Sequence, residues 1–150
     1  MKRGLPLLVF VLVACGGGKG QVTPIPAADA SLRTFIQSAV DSNLTAMGEH
    51  WGTSRGSAAS TGVPADYQKR MAIVQTYLSG IAFRVLSNEP RPGLPNERVI
   101  QVELTRPGCV NVVPFTMIRT SHDQWLVNEF DLEKVSRPGR ACGASDGAPR

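Results

Sequence analysis

At Gly80 the spacing of the apolar residues changes, and no other feature constrains the fold as strongly. Before it they recur at three- and four-residue steps; after it they alternate. Leu32, Phe35, Ile36, Ala39, Val40, Leu44 and Met47 make one stripe of an amphipathic helix, with Arg33, Gln37, Asp41 and Ser42 opposite. Asp29 or Ser31 is suited to cap its start, because a short oxygen-bearing side chain accepts from the exposed first-turn N–H groups. The helix is expected to fray between Gly48 and Gly52, near His50 and Trp51. The small, polar residues 52–63 read as a mobile loop. A second helix is expected to open at Pro64, where a missing N–H costs nothing. Its stripe is Tyr67, Met71, Val74 and Leu78, flanked by Ile73 and Tyr77, and Gly80 is its left-handed stop.

Beyond Gly80, Ile81 to Leu86 reads as a strand, followed by a loop of breakers from Ser87 to Asn96. Arg98 to Leu104 places Ile100, Val102 and Leu104 on one face and Gln101 and Glu103 on the other. Val110 to Arg119 is a third strand, in which Pro114 marks an edge position or a bulge. Thr120 to Asp123 is a turn, and Gln124 to Leu132 a fourth strand. Arg-Pro-Gly occurs at Arg91, Arg106 and Arg137 without shared flanks, so it reads as three turns, with Pro setting φ and Gly supplying positive φ. Together these segments predict an α+β domain: two N-terminal amphipathic helices packed on a curved antiparallel sheet of about four strands.

The N-terminal stretch belongs to export rather than to the fold. Met1-Lys2-Arg3 is basic, and Leu5 to Ala14 is apolar apart from Pro6. That run is shorter than the about 20 residues a spanning helix needs. It ends at Leu12-Val13-Ala14-Cys15, with small Ala14 directly before the cysteine, and this resembles the lipobox of bacterial lipoproteins. The resemblance implies that residues 1–14 are a signal peptide and that Cys15 is the lipidation site. Its Sγ would take a diacylglyceryl group, and the amine freed after Ala14 is usually acylated in turn. The bland alternative is an ordinary signal peptide with a chance cysteine. Two or more acyl chains give stable attachment where one is marginal, so the membrane is an expected partner through lipid. Gly16, in place of Asp, resembles the pattern that sends lipoproteins of enteric bacteria to the outer membrane, facing the periplasm. Residues 15–28 have the composition of a flexible linker, 29–142 fit one domain, and 143–150 read as a disordered tail.

The precursor carries 16 basic and 12 acidic residues. Removal of Lys2 and Arg3 with the leader leaves 14 basic residues, a net charge of +2. These are scattered, whereas nucleic-acid binding needs a clustered basic face, so no nucleic-acid partner is expected. With Cys15 lipidated, Cys109 and Cys142 are an even pair in an oxidising compartment and are expected to form a disulfide. Two free thiols or an intermolecular pair are the alternatives.

The helix ending Tyr77-Leu78-Ser79-Gly80 runs straight into Ile81-Ala82-Phe83-Arg84-Val85. Later, Phe115-Thr116-Met117-Ile118-Arg119 turns through His122-Asp123 into Gln124-Trp125-Leu126-Val127-Asn128-Glu129-Phe130-Asp131-Leu132. From about Ser31 to Leu132 this resembles the nuclear transport factor 2-like superfamily, particularly its small lipoproteins of unknown function. The resemblance implies a cone of helices on a curved sheet enclosing an apolar pocket. The short strand that family carries between its early helices is not visible in residues 48–63. A few members are isomerases or dehydratases using Asp, Tyr or His in a dry cone.

The acid/base candidates here are Tyr67, Tyr77, Asp66, His50, His122 and Asp131, and spacing brings no two of them together. Two histidines in separate elements argue against a metal site, and neither a nucleophile elbow nor a phosphate loop is present. No cofactor is expected. The apolar stripes and the inner sheet face should meet around Phe35, Trp51, Met71, Phe115 and Trp125, as pocket lining or as plain core. Two functions follow: a tethered, non-catalytic binding module for a small apolar ligand or an envelope protein, or a small isomerase- or dehydratase-type enzyme.

Overall fold

The computed structural model describes residues 27–140 and 142. The leader, Cys15, most of the expected linker and the expected tail lie outside them. Helices α1 (Ala27–Val40), α2 (Leu44–His50), α3 (Ala58–Thr61) and α4 (Tyr67–Leu78) accompany a four-stranded antiparallel sheet, β3 (Ala82–Arg91), β4 (Leu94–Arg106), β5 (Cys109–Arg119) and β6 (Trp125–Phe130). The strands lie in chain order, β3-β4-β5-β6. A two-stranded hairpin, β1 (Gly52–Thr53) and β2 (Gly56–Ser57), sits between α2 and α3.

The stripe of the first helix is buried as its period requires: Ala28, Leu32, Phe35, Ile36 and Ala39 are inaccessible. The helix does not run on to Met47, however. Asp41, Ser42 and Asn43 break it, with Ser42 at φ 58° and the Asn43 side chain accepting from Ala46 N at 3.1 Å to start α2. A short polar side chain competes with the helical backbone for hydrogen bonds, and Asn43 does so here, while Asp41 and Ser42 accept from the side chains of Gln37 and Gln75.

Residues 52–63 are not a plain loop. The β1–β2 hairpin closes over Gly52, where a Cβ would overlap Gly56 O and come within 2.8 Å of Ser57 Cα. Ser57 then caps α3 through Ser60 N. Pro64 precedes the next helix instead of opening it: a turn closed from Tyr67 N to Pro64 O at 2.9 Å leads into α4, which buries Met71, Val74 and Leu78. The two expected helices are thus four.

The sheet also runs longer than the alternation suggests, since β3 and β4 continue through the expected loop at Ser87 to Asn96. The prolines there read as breakers, but Pro92 lies in the turn, Pro95 in the register shift of β4 before its ladder with β5 begins at Glu97, and Pro90 on the edge strand β3, where proline is tolerated. Its edge is further blunted by a register shift at Leu86. Pro114 falls one residue short of the β5–β6 ladder, which begins at Phe115. All three Arg-Pro-Gly segments put glycine at positive φ, 76° at Gly93, 73° at Gly108 and 72° at Gly139, and the first two are the turns of the β3–β4 and β4–β5 hairpins.

Register decides what faces the helices. Val85, Val102 and Val113 are aligned, as are Ile100, Phe115 and Phe130. Phe130 stacks on Phe115 with centroids 4.5 Å apart and meets Phe35 edge-on at 6.4 Å. The other sheet face leaves Val110 and Val112 exposed, at 61% and 49%.

Candidate functional site

A register shift in β6 shapes an apolar groove. Thr116 pairs with Glu129 and Met117 with Val127, so Asn128 is an extra residue. Val127 and Phe130, three apart, therefore both face the helices. The Asn128 side chain donates to Gly52 O at 2.9 Å, and Trp51 forms a parallel bridge with Val127. These contacts hold the start of the small hairpin against the sheet edge. Between this edge and α4 lies an open groove of about 300 Å³. Met71, Ile73 and Val74 form its helical wall, Trp51, Phe130 and Leu132 the other, and Arg70 and Glu129 supply its charges. Arg70 is engaged with Asp66 at 3.0 Å.

Of the five expected lining residues, Trp51 and Met71 line this groove. Phe35 and Phe115 do not: they belong to the packed core, in which Met71, at the floor of the groove, is also buried. Trp125 is half-buried at the opposite end of β6. Ile73, Val74, Phe130 and Leu132 were not among the five. Phe130 carries an alternation signal, but nothing in the sequence marks the extra residue at Asn128 that turns it toward α4.

All but one of the acid/base candidates have another occupation. The Arg70 guanidinium holds the Asp66 carboxyl below the usual carboxylate range through a direct hydrogen bond. Asp131 accepts from Glu133 N at 2.9 Å and caps a short 3-10 helix, Leu132–Lys134. Tyr67 and Tyr77 pack against the core, and His122 is exposed in the β5–β6 turn.

A pairing that spacing does not reveal is Ser31 with His50, whose Oγ and Nδ1 are 3.1 Å apart. In a nucleophile–base dyad the imidazole must accept the hydroxyl proton. Here Ser31 Oγ donates to Trp125 O at 2.5 Å, which leaves it as acceptor for Nδ1–H. The trio is a staple joining α1, α2 and β6. Burial lowers the His50 pKa, with Glu49 opposing.

At the far end of the sheet, Arg106 donates to Tyr77 O, to Ser79 O at 3.1 Å and to Ser136 O at 3.1 Å. A cation there suits the last carbonyls of α4. Cys109 and Cys142 lie side by side with Cα atoms 5.4 Å apart, inside the range a disulfide spans. Among the described residues no three His, Cys, Asp or Glu side chains come together, and no helix is long and apolar enough to cross a membrane. Comparison with protein-family models, curated proteins and solved structures finds no match.

Proposed function

We propose that the chain is a lipid-anchored, non-catalytic binding module whose groove between α4 and β6 takes a small ligand with a short apolar group. The observation that carries this reading is the groove itself, walled by Trp51, Met71, Ile73, Val74, Phe130 and Leu132. Its volume lies at the lower bound of small-molecule sites, roughly 300–1,000 Å³, which suits an alkyl tail or a single ring. The occupation of Asp66, Asp131, Tyr67, Tyr77 and His50 in ion pairing, capping, packing and stapling supports a module over an isomerase- or dehydratase-type enzyme.

Kinship with the nuclear transport factor 2-like superfamily is part of the proposal. It is supported by the order of elements and by the β1–β2 hairpin, which lies between the early helices where that family carries a short strand. Anchoring through Cys15, at the outer membrane facing the periplasm, rests on the lipobox-like Leu12-Val13-Ala14-Cys15. Mass spectrometry of chain isolated from its own cells should find diacylglycerol on Cys15, and an unmodified thiol there contradicts the anchor.

For the groove, titration with an octyl chain carrying a dansyl group should give saturable binding with energy transfer from Trp51. A photo-crosslinker at position 73 separates the two sources of an apolar group: a discrete protein adduct in cells points to an envelope protein inserting a side chain. Absence of saturable probe binding contradicts the ligand reading.

A further inference from the structure

We infer that the segment Asp131–Arg140, tied at its end through Cys142, is a redox-sensitive strap that holds one wall of the groove; the inference rests on the proposed groove and concerns its regulation. The strap begins inside the site, because Leu132 is part of the lining. It then buries Val135 in the core and passes Ser136 O to Arg106 Nη1 at 3.1 Å. Asn111, with its amide oriented to satisfy both of its ends, accepts from Ser136 N at 3.2 Å.

Arg106 is the link between the walls. The same guanidinium holds the carbonyls of Tyr77 and Ser79, where α4 ends. One side chain therefore joins the end of the helical wall to the strap that carries Leu132. Past Ser136 the only described hydrogen bond of the strap is local, Arg140 N to Arg137 O at 3.3 Å. Its far end is held to the sheet by the apposition of Cys142 with Cys109 at the start of β5. The covalent end is thus the one attachment that a change in redox state releases without altering any other contact.

The step is a thiol–disulfide exchange. A dithiol reductant supplies two electrons and two protons, the Cys109–Cys142 S–S bond becomes two thiols, and the reductant closes its own disulfide. With its end free, the strap is held by the burial of Val135 and by the Arg106 and Asn111 contacts to Ser136, with nothing covalent beyond them. The effective concentration of Leu132 at the groove then falls.

The test uses the purified chain, the dansyl-octyl probe and hydrogen exchange. Dithiothreitol should weaken probe binding on the order of ten-fold, as expected when a tethered contact loses its tether. It should also speed exchange at the Val135 amide while α1 and β4 stay protected. A C109S/C142S double variant should bind like the reduced chain and ignore reductant. Equal probe affinity and equal Val135 exchange in both redox states overturn the strap and leave the groove standing. Faster exchange throughout α1 and β4 means that reduction unfolds the domain, which also overturns the strap. If the probe binds neither state, the groove reading and its regulation fall together, and Val135 exchange still reports separately whether the segment is released.

Discussion

Trp51 bridges Val127 in parallel, and this single pairing joins the segment between the early helices to the edge strand of the sheet. The Asn128 side chain reinforces it through Gly52 O. The groove exists because β6 carries one residue more than its partner at this point, which leaves Phe130 facing α4 beside Trp51.

Phe35 is inaccessible and meets Phe130 edge-on, so Phe35→Ala should destabilise the domain by about 3–5 kcal/mol. Trp125 is only half-buried, and Trp125→Ala should cost less. Urea denaturation of both variants checks the order. A smaller loss at Phe35 than at Trp125 contradicts the assigned core.

His50 gives stability a pH dependence. Burial holds its pKa below the ordinary 6.5, so as pH falls the unfolded chain binds the proton first. Its contribution is constant above that ordinary value and is lost progressively below it, down to the lowered folded value. His50→Gln should flatten this limb of the stability–pH profile. An unchanged slope in the variant argues against a buried, neutral His50 in the staple.

The cysteines make a third case. Non-reducing peptide mapping should recover Cys109 joined to Cys142, closing a loop with a sequence separation of 33. On the chain-entropy model such a cross-link stabilises a fold by roughly 3–4 kcal/mol. Labelling of both thiols in chain taken from an oxidising compartment argues against the bridge.

What the sequence reveals of this fold follows how local each cause is. The stripes of α1 and α4 and the alternation of β4 and β5 are legible because burial selects them at a fixed period. The Arg-Pro-Gly turns are legible because proline and glycine restrict φ wherever they stand. The break at Asp41-Ser42-Asn43 is not, because each residue alone is tolerated in a helix and only the Asn43 cap decides between one helix and two. The extension of β3 past Ser87 is hidden by Pro90, tolerated because β3 lies at the edge, and by Pro92, which falls in the turn. The groove is the least legible part. Met71 is legible as a stripe residue and Trp51 as an aromatic at the frayed helix end, but their meeting with Phe130 and Leu132 depends on the β6 register shift and on the hairpin at Gly52, both products of tertiary pairing.

Ile73 is half exposed on the groove's helical wall, at 50%, and Leu94 is comparably exposed, at 42%, in the first residue of β4 outside the groove. Probe affinity measured in Ile73→Glu and Leu94→Glu tests the central claim most directly. Burying a carboxylate against an apolar ligand is strongly unfavourable, so the first substitution should abolish dansyl-octyl binding while the fold persists. The second should bind as the unaltered chain does. Equal binding by both variants, or loss in both, contradicts the groove as the functional site.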